Sequence, residues 1–153
     1  METTPRVIHR LTWICIRDYR MLFVQNTKRG VLVEPGVRWT PPNLKKGTLE
    51  RETSPEELRE QAALLAQKVE RDLKVSLAGP VEFLDSFCSP AHEKEEGIMV
   101  EMRMFMSGGY HGEIPEDPSP GLRAHWLRYR DNRFRFSKAT LWTRAWLRDQ
   151  GIY

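Results

Sequence analysis

Apolar positions along the chain change their spacing several times, and each change marks an element. Residues 7–16, VIHRLTWICI, are rich in β-branched and aromatic side chains and read as a strand. RDYR follows as a turn, and MLFVQN returns as the second arm of a hairpin. Residues 31–38, VLVEPGVR, hold a short strand broken by Pro-Gly, and WTPPNLKKGTLERETS reads as a long loop. The spacing then becomes helical. Leu58, Ala62, Leu65, Val69 and Leu73 recur at steps of three and four, which gathers them into one stripe. Ser54 suits the N-cap and Pro55 the first helical position, and Glu56 and Glu57 favour the positive end of the helix dipole. A helix over 55–73 is expected, with Glu70 and Lys74 as an i,i+4 pair near its end.

Beyond the helix the period returns to two. VSLAGPVEFLDSFCS reads as strand with an Ala-Gly-Pro break, and PAHEKEEG as a charged loop. In GIMVEMRMFMSGGY, Ile98, Val100, Met102, Met104 and Met106 share one face, with Glu101 and Arg103 on the other. GGYHGEIPEDPSPG is turn-rich, and LRAHWLRY is a short strand. SKATLWTRAWLRDQG reads as a final helix capped by Ser137, with Leu141, Ala145 and Trp146 inward and Gly151 past its end. Mostly antiparallel strands with two helices predict an α+β sandwich, one domain over residues 1–153.

Composition narrows the class. The 153 residues are 40% hydrophobic and 29% charged, ordinary for a globular domain with its own core. No apolar run approaches a membrane span, and METTPRVIHR lacks the apolar segment of a signal peptide. Cys15 and Cys88 lie far apart and read as free thiols, so a cytoplasmic protein with no membrane association is expected. The formal net charge is +3, and RYRDNRFR at 128–135 is the densest basic cluster. It reads as a solvated turn between two elements rather than a nucleic-acid patch. Mild positive charge also suits a phosphorylated small ligand.

AQKVERDLKVSL, following RWTPPNLKKG and preceding FLDSFCSPAHEKEEGIMVEMRMFMSGGYHGEI and LRAHWLRYRD, resembles the Nudix hydrolases over residues 7–149. The resemblance implies an α/β/α sandwich with a central mixed sheet and two main helices. It also implies hydrolysis of a pyrophosphate linkage in a nucleotide-like substrate, with Mg²⁺ or Mn²⁺ held by glutamates on one helix flank. Hard cations take oxygen ligands, neutralise phosphate charge and help to activate water. The family's box reads Arg-Glu-aliphatic-any-Glu-Glu-any-Gly. With Val69 in the first aliphatic slot, this chain offers Gln67 and Lys68 for Arg-Glu, Arg71 and Asp72 for Glu-Glu, and Lys74 for Gly. Only Asp72 keeps a carboxylate, and Lys68 stands one helical turn from it, placed to pair with it.

A second register reads EELREQ as the carboxylate run, with Glu57 and Glu60 as metal ligands. Glu57, Gln61, Lys68 and Asp72 then fall on one flank at the edge of the apolar stripe. Under a hydrolase reading Glu57, Glu60 and Asp72 face the metal, and Glu95 or Glu96 in the HEKEE loop serves as base or contacts substrate. Under a binding-module reading, Lys68 and Arg71 hold a phosphorylated ligand without a metal. A third reading is a protein-interaction domain, and a homodimer is open. Glu113, Glu116 and Asp117 form a further acidic group, and His9, His92, His111 and His125 show no metal-ligand spacing. Tyr110, Trp39 and Phe83 are candidates to stack on a base, though aromatic residues in strands usually serve the core.

Overall fold

The computed structural model describes residues 6–40, 54–90 and 97–153. In chain order the elements are β1 (Arg6–Trp13), β2 (Ile16–Arg17), β3 (Arg20–Asn26), β4 (Leu32–Val33), β5 (Gly36–Trp39), α1 (Pro55–Leu73), β6 (Ser76–Leu77), β7 (Glu82–Pro90), β8 (Ile98–Met106), β9 (Tyr110–His111), β10 (Leu122–Leu127) and α2 (Lys138–Asp149). One sheet runs β5-β1-β8-β7, with β1 and β8 parallel and the outer pairs antiparallel. A second runs β10-β3-β2, with β4 added to β3, and β6 pairs with β9. The mixed sheet and two helices are those expected.

Alternation along β1 and β8 decides which helix covers which face. Leu11, Trp13 and Phe105 join Leu65, Val69 and Leu73 of α1 in one core cluster. Ile14 and Met104 join Met21, Phe23, Leu32, Leu127 and Leu147 of α2 in another. Fully burying each such Leu, Val or Phe contributes about 1.5–3 kcal/mol. The chain turns back between β2 and β3 at Asp18 and Tyr19, both in the left-handed region with φ of 53° and 65°.

The long helix has the expected bounds. Ser54 Oγ accepts from Glu57 N at 3.2 Å, and α1 ends at Leu73. Lys74 then takes a left-handed conformation, φ 60° and ψ 43°, and donates its amide to Glu70 O. That turn carries Lys74 off the helix face, and the Glu70 carboxylate accepts from Leu77 N at 2.9 Å instead. The buried stripe of α1 also differs from the apolar one. It comprises Glu57, Gln61, Leu65, Val69 and Leu73, while Leu58 and Ala62 pack beside it. Its first two turns are thus buried through polar side chains.

The last helix presents a face turned in part from the one expected: Trp146 packs on the α2-side core as expected, but Leu141 and Ala145 do not face it. Ser137 caps it, but Ala139, Thr140, Thr143, Arg144 and Leu147 are buried. Leu141 is 47% exposed and Ala145 is exposed. Polar contacts set this rotation. Thr143 Oγ1 donates to the buried Glu34 carboxylate at 3.1 Å, and Arg144 donates to the backbone carbonyls of Tyr129 and Asp131. On β8, Glu101 and Arg103 are as buried as Met102 and Met104, because α1 covers their face.

Candidate functional site

A cleft of about 350 Å³ lies between the second half of α1 and the strands around Pro35-Gly36. Arg10, Arg38, Lys68 and Asp72 line it, over apolar walls from Val33, Val37, Val69 and Leu122. A smaller cavity of about 200 Å³ shares Arg10, Arg38 and Val33, and continues over Ile8 and Met102 to Ser137 and Thr140 at the start of α2. The close approach of two strands builds the edge of the cleft. A β-carbon on Gly36 would stand 2.3 Å from Leu11 O, so only glycine lets β5 lie against β1 at this point.

The cations are placed by register. Arg10 on β1 and Arg38 on β5 are direct cross-strand partners. Like charges so placed repel unless something neutralises them. Arg10 donates through its guanidinium to the Glu34 carbonyl at 3.0 Å. Its pKa lies below the ordinary arginine value because burial disfavours its charge; nearby Glu34 opposes that and Arg38 adds to it. Opposite them, Lys68 Nζ pairs with Asp72 Oδ2 at 2.9 Å, and Arg71 Nε lies 3.7 Å from the other Asp72 oxygen. Ser119 Oγ donates to the Asp72 carbonyl at 2.7 Å, which ties the loop before β10 to the end of this helix.

The remaining sequence candidates separate. Glu57 is buried against the sheet, whereas Glu60, three residues on, is exposed. Glu57 and Gln61 thus belong to the buried stripe itself rather than to its edge. Glu113, Glu116 and Asp117 are exposed, and Asp117 accepts from Arg123 at 3.3 Å. Tyr110 stacks on Trp126 and supports Arg17 rather than standing open to a ligand. Phe83 packs edge-on to Phe105, and Trp39 packs against the α1-side core. Glu95, Glu96 and His92, with most of the RWTPPNLKKG turn, lie outside the described residues.

Does this donor set fit Mg²⁺ or Mn²⁺? Among the described residues no three His, Cys, Asp or Glu side chains come together to hold a metal. The one carboxylate on the α1 flank of the cleft, Asp72, already accepts an ammonium group. The described cleft therefore does not match a hard cation, which needs several oxygen ligands.

Sequence reasoning missed Arg10, Arg38 and the buried network beneath the start of α1. In that network Glu101 Oε1 accepts from Arg103 Nε at 2.6 Å and meets His9 Nδ1 at 3.1 Å. Arg103 also reaches Gln61 Oε1 at 3.3 Å and lies over the Trp39 ring. His9 Nε2 and Gln61 Nε2 are buried without a hydrogen-bond partner among the described residues. Burial pushes the Glu101 carboxyl up, but the hydrogen bonds from His9 and Arg103 outweigh it, and its pKa lies below the ordinary value. Arg10 and Arg38 could have been found by taking Pro35-Gly36 as the approach point and counting outward along both strands.

No protein-family model matches the chain, and no curated protein matches it. Solved structures do. The MutT Nudix hydrolase of Burkholderia pseudomallei is similar at 14% identity and a TM-score of 0.63, over 92% of this chain and 97% of that one. A Nudix hydrolase of Nitrosomonas europaea gives 14% and 0.62, over 96% and 90%. The ORF135 protein of E. coli gives 15% and 0.57, over 95% and 94%. The chain has the Nudix fold.

Proposed function

We propose that the cleft binds a phosphorylated small molecule, nucleotide-like in size, directly through Arg10, Arg38 and Lys68, without a divalent metal. The observation that carries this reading is the cross-strand pairing of Arg10 with Arg38 in a cleft that also receives Lys68. An anionic group between the two guanidinium groups relieves their repulsion and forms charge-assisted hydrogen bonds. Lys68 supplies a further cation on the α1 side when its bond to Asp72 is exchanged for one to the ligand. The smaller cavity, apolar along Ile8 and Met102, accommodates an uncharged part of the ligand beside the arginines. The Nudix fold of the hydrolases it resembles supports a phosphorylated ligand. Fold alone does not carry catalysis over to this chain.

A thermal-shift panel tests the reading. Nucleoside diphosphates, triphosphates and nucleotide sugars are each added with and without Mg²⁺, and release of nucleoside monophosphate is followed in parallel. Stabilisation without metal, without release and lost in Lys68→Glu is the expected outcome, because a ligand that binds only the folded state raises its melting temperature. Metal-dependent stabilisation with release of nucleoside monophosphate would instead identify a hydrolase. Glu57→Gln and Glu60→Gln would then show whether those carboxylates serve it.

A further inference from the structure

The segment Arg128–Arg135 holds four arginines and one aspartate, a local charge equal to the +3 of the whole chain. It is not a loose turn. Asp131 N bonds to Arg128 O at 3.0 Å, and Leu32 N bonds to Arg135 O at 2.8 Å. Between these points the buried Arg144 reaches out of α2, donates to the carbonyls of Tyr129 and Asp131, and lies over the Phe136 ring at 4.2 Å. Phe134 and Phe136 pack on the α2-side core, and Tyr129 packs edge-on to Tyr153. The aromatic residues thus serve as anchors, while Arg128, Arg130, Arg133 and Arg135 are exposed. Arg133 is held by Asp131 through two contacts of 3.0 and 2.9 Å. Arg128, Arg130 and Arg135 have no ion-pair partner among the described residues.

We propose that this rigid arginine loop is a nucleic-acid interface that contacts the phosphodiester backbone. Guanidinium groups suit phosphate oxygens, and a loop whose backbone is already anchored loses less entropy on binding. The inward-turned aromatics offer no stacking platform for bases, so recognition is of backbone charge rather than sequence. The same inward turning leaves the loop no apolar side chain to insert into a lipid surface. The proposal does not depend on the ligand of the cleft, because none of the four arginines lines it.

Fluorescence anisotropy of a labelled single-stranded oligonucleotide, titrated with the full chain over a range of salt, tests this. The expected result is binding whose logarithm falls with the logarithm of salt with a slope of about −2, from roughly three phosphate contacts. Arg128→Glu/Arg130→Glu/Arg135→Glu should weaken binding by on the order of tenfold or more. The triple lysine variant should retain most of it, and both variants should keep the melting temperature of the parent. Equal binding by the triple glutamate variant overturns the proposal, as does loss of binding in the Lys68→Glu cleft variant. Binding to phosphatidylserine vesicles with none to the oligonucleotide would also overturn it, by assigning the loop to a lipid surface.

Discussion

Gly36 and Lys74 are single residues at which the backbone decides whether a side chain fits, for opposite reasons. Gly36 has no room for a side chain, since the nearest obstacle is the Leu11 backbone carbonyl, which cannot move aside cheaply. Gly36→Ala is therefore expected to cost about 3 kcal/mol, the upper part of the range for overpacking, measured by urea denaturation. Lys74 carries a side chain where the backbone favours none, at φ 60°. Lys74→Gly should stabilise by about 0.5–1 kcal/mol, because relief of left-handed strain exceeds the extra freedom of glycine in the unfolded chain. Little of this was legible in advance. The Pro-Gly break was visible, but the contact with Leu11 is a tertiary fact. Arg10 and Arg38 went unnoticed because they lie far apart in sequence, and only strand register brings them opposite each other.

The two helices show what periodicity can and cannot decide. For α1, cap and proline fixed the start, and the apolar spacing fixed the length. What the apolar pattern concealed is that two polar residues, Glu57 and Gln61, continue the buried stripe. They can do so because the strands beneath them offer a matching network around Glu101 and Arg103. In α2 the apolar Leu141 points outward while Thr143 and Arg144 point inward, for hydrogen bonds that a hydropathy pattern does not contain. The α1 network gives a testable consequence. Glu101→Gln leaves Arg103 buried without its countercharge, and should cost about 3 kcal/mol at neutral pH in a denaturation experiment. The folded Glu101 carboxyl titrates below its ordinary value of 4.5. Its stabilising contribution is therefore complete above that pH and is lost as pH falls through the lower, folded pKa. The melting temperature of Glu101→Gln should accordingly depend less on pH below about 4.5 than that of the parent chain, a comparison scanning calorimetry can make.

At the scale of the molecule the Nudix fold was legible, because the order of strands and helices along the chain carries it. The chemistry was legible only in part. The pairing of Lys68 with Asp72 could be read directly from their helical spacing. The other half of the cleft, the paired arginines, could not be. The described lining of the cleft carries three cations, Arg10, Arg38 and Lys68, against one carboxylate, Asp72. That balance of charge predicts a dependence on salt: raised ionic strength should weaken the part of ligand binding carried by the exposed Arg38 and the half-buried Lys68, through screening over about 10 Å at 0.1 M, and affect the more buried Arg10 less.

Calorimetric titration of inorganic pyrophosphate, in EDTA and again with excess Mg²⁺, tests the central claim most directly. Direct binding by Arg10, Arg38 and Lys68 predicts full affinity in EDTA, weaker affinity once Mg²⁺ has neutralised the ligand, and loss of affinity in Lys68→Glu. Binding that appears only when Mg²⁺ is present would contradict the account and return the cleft to a metal-held phosphate site.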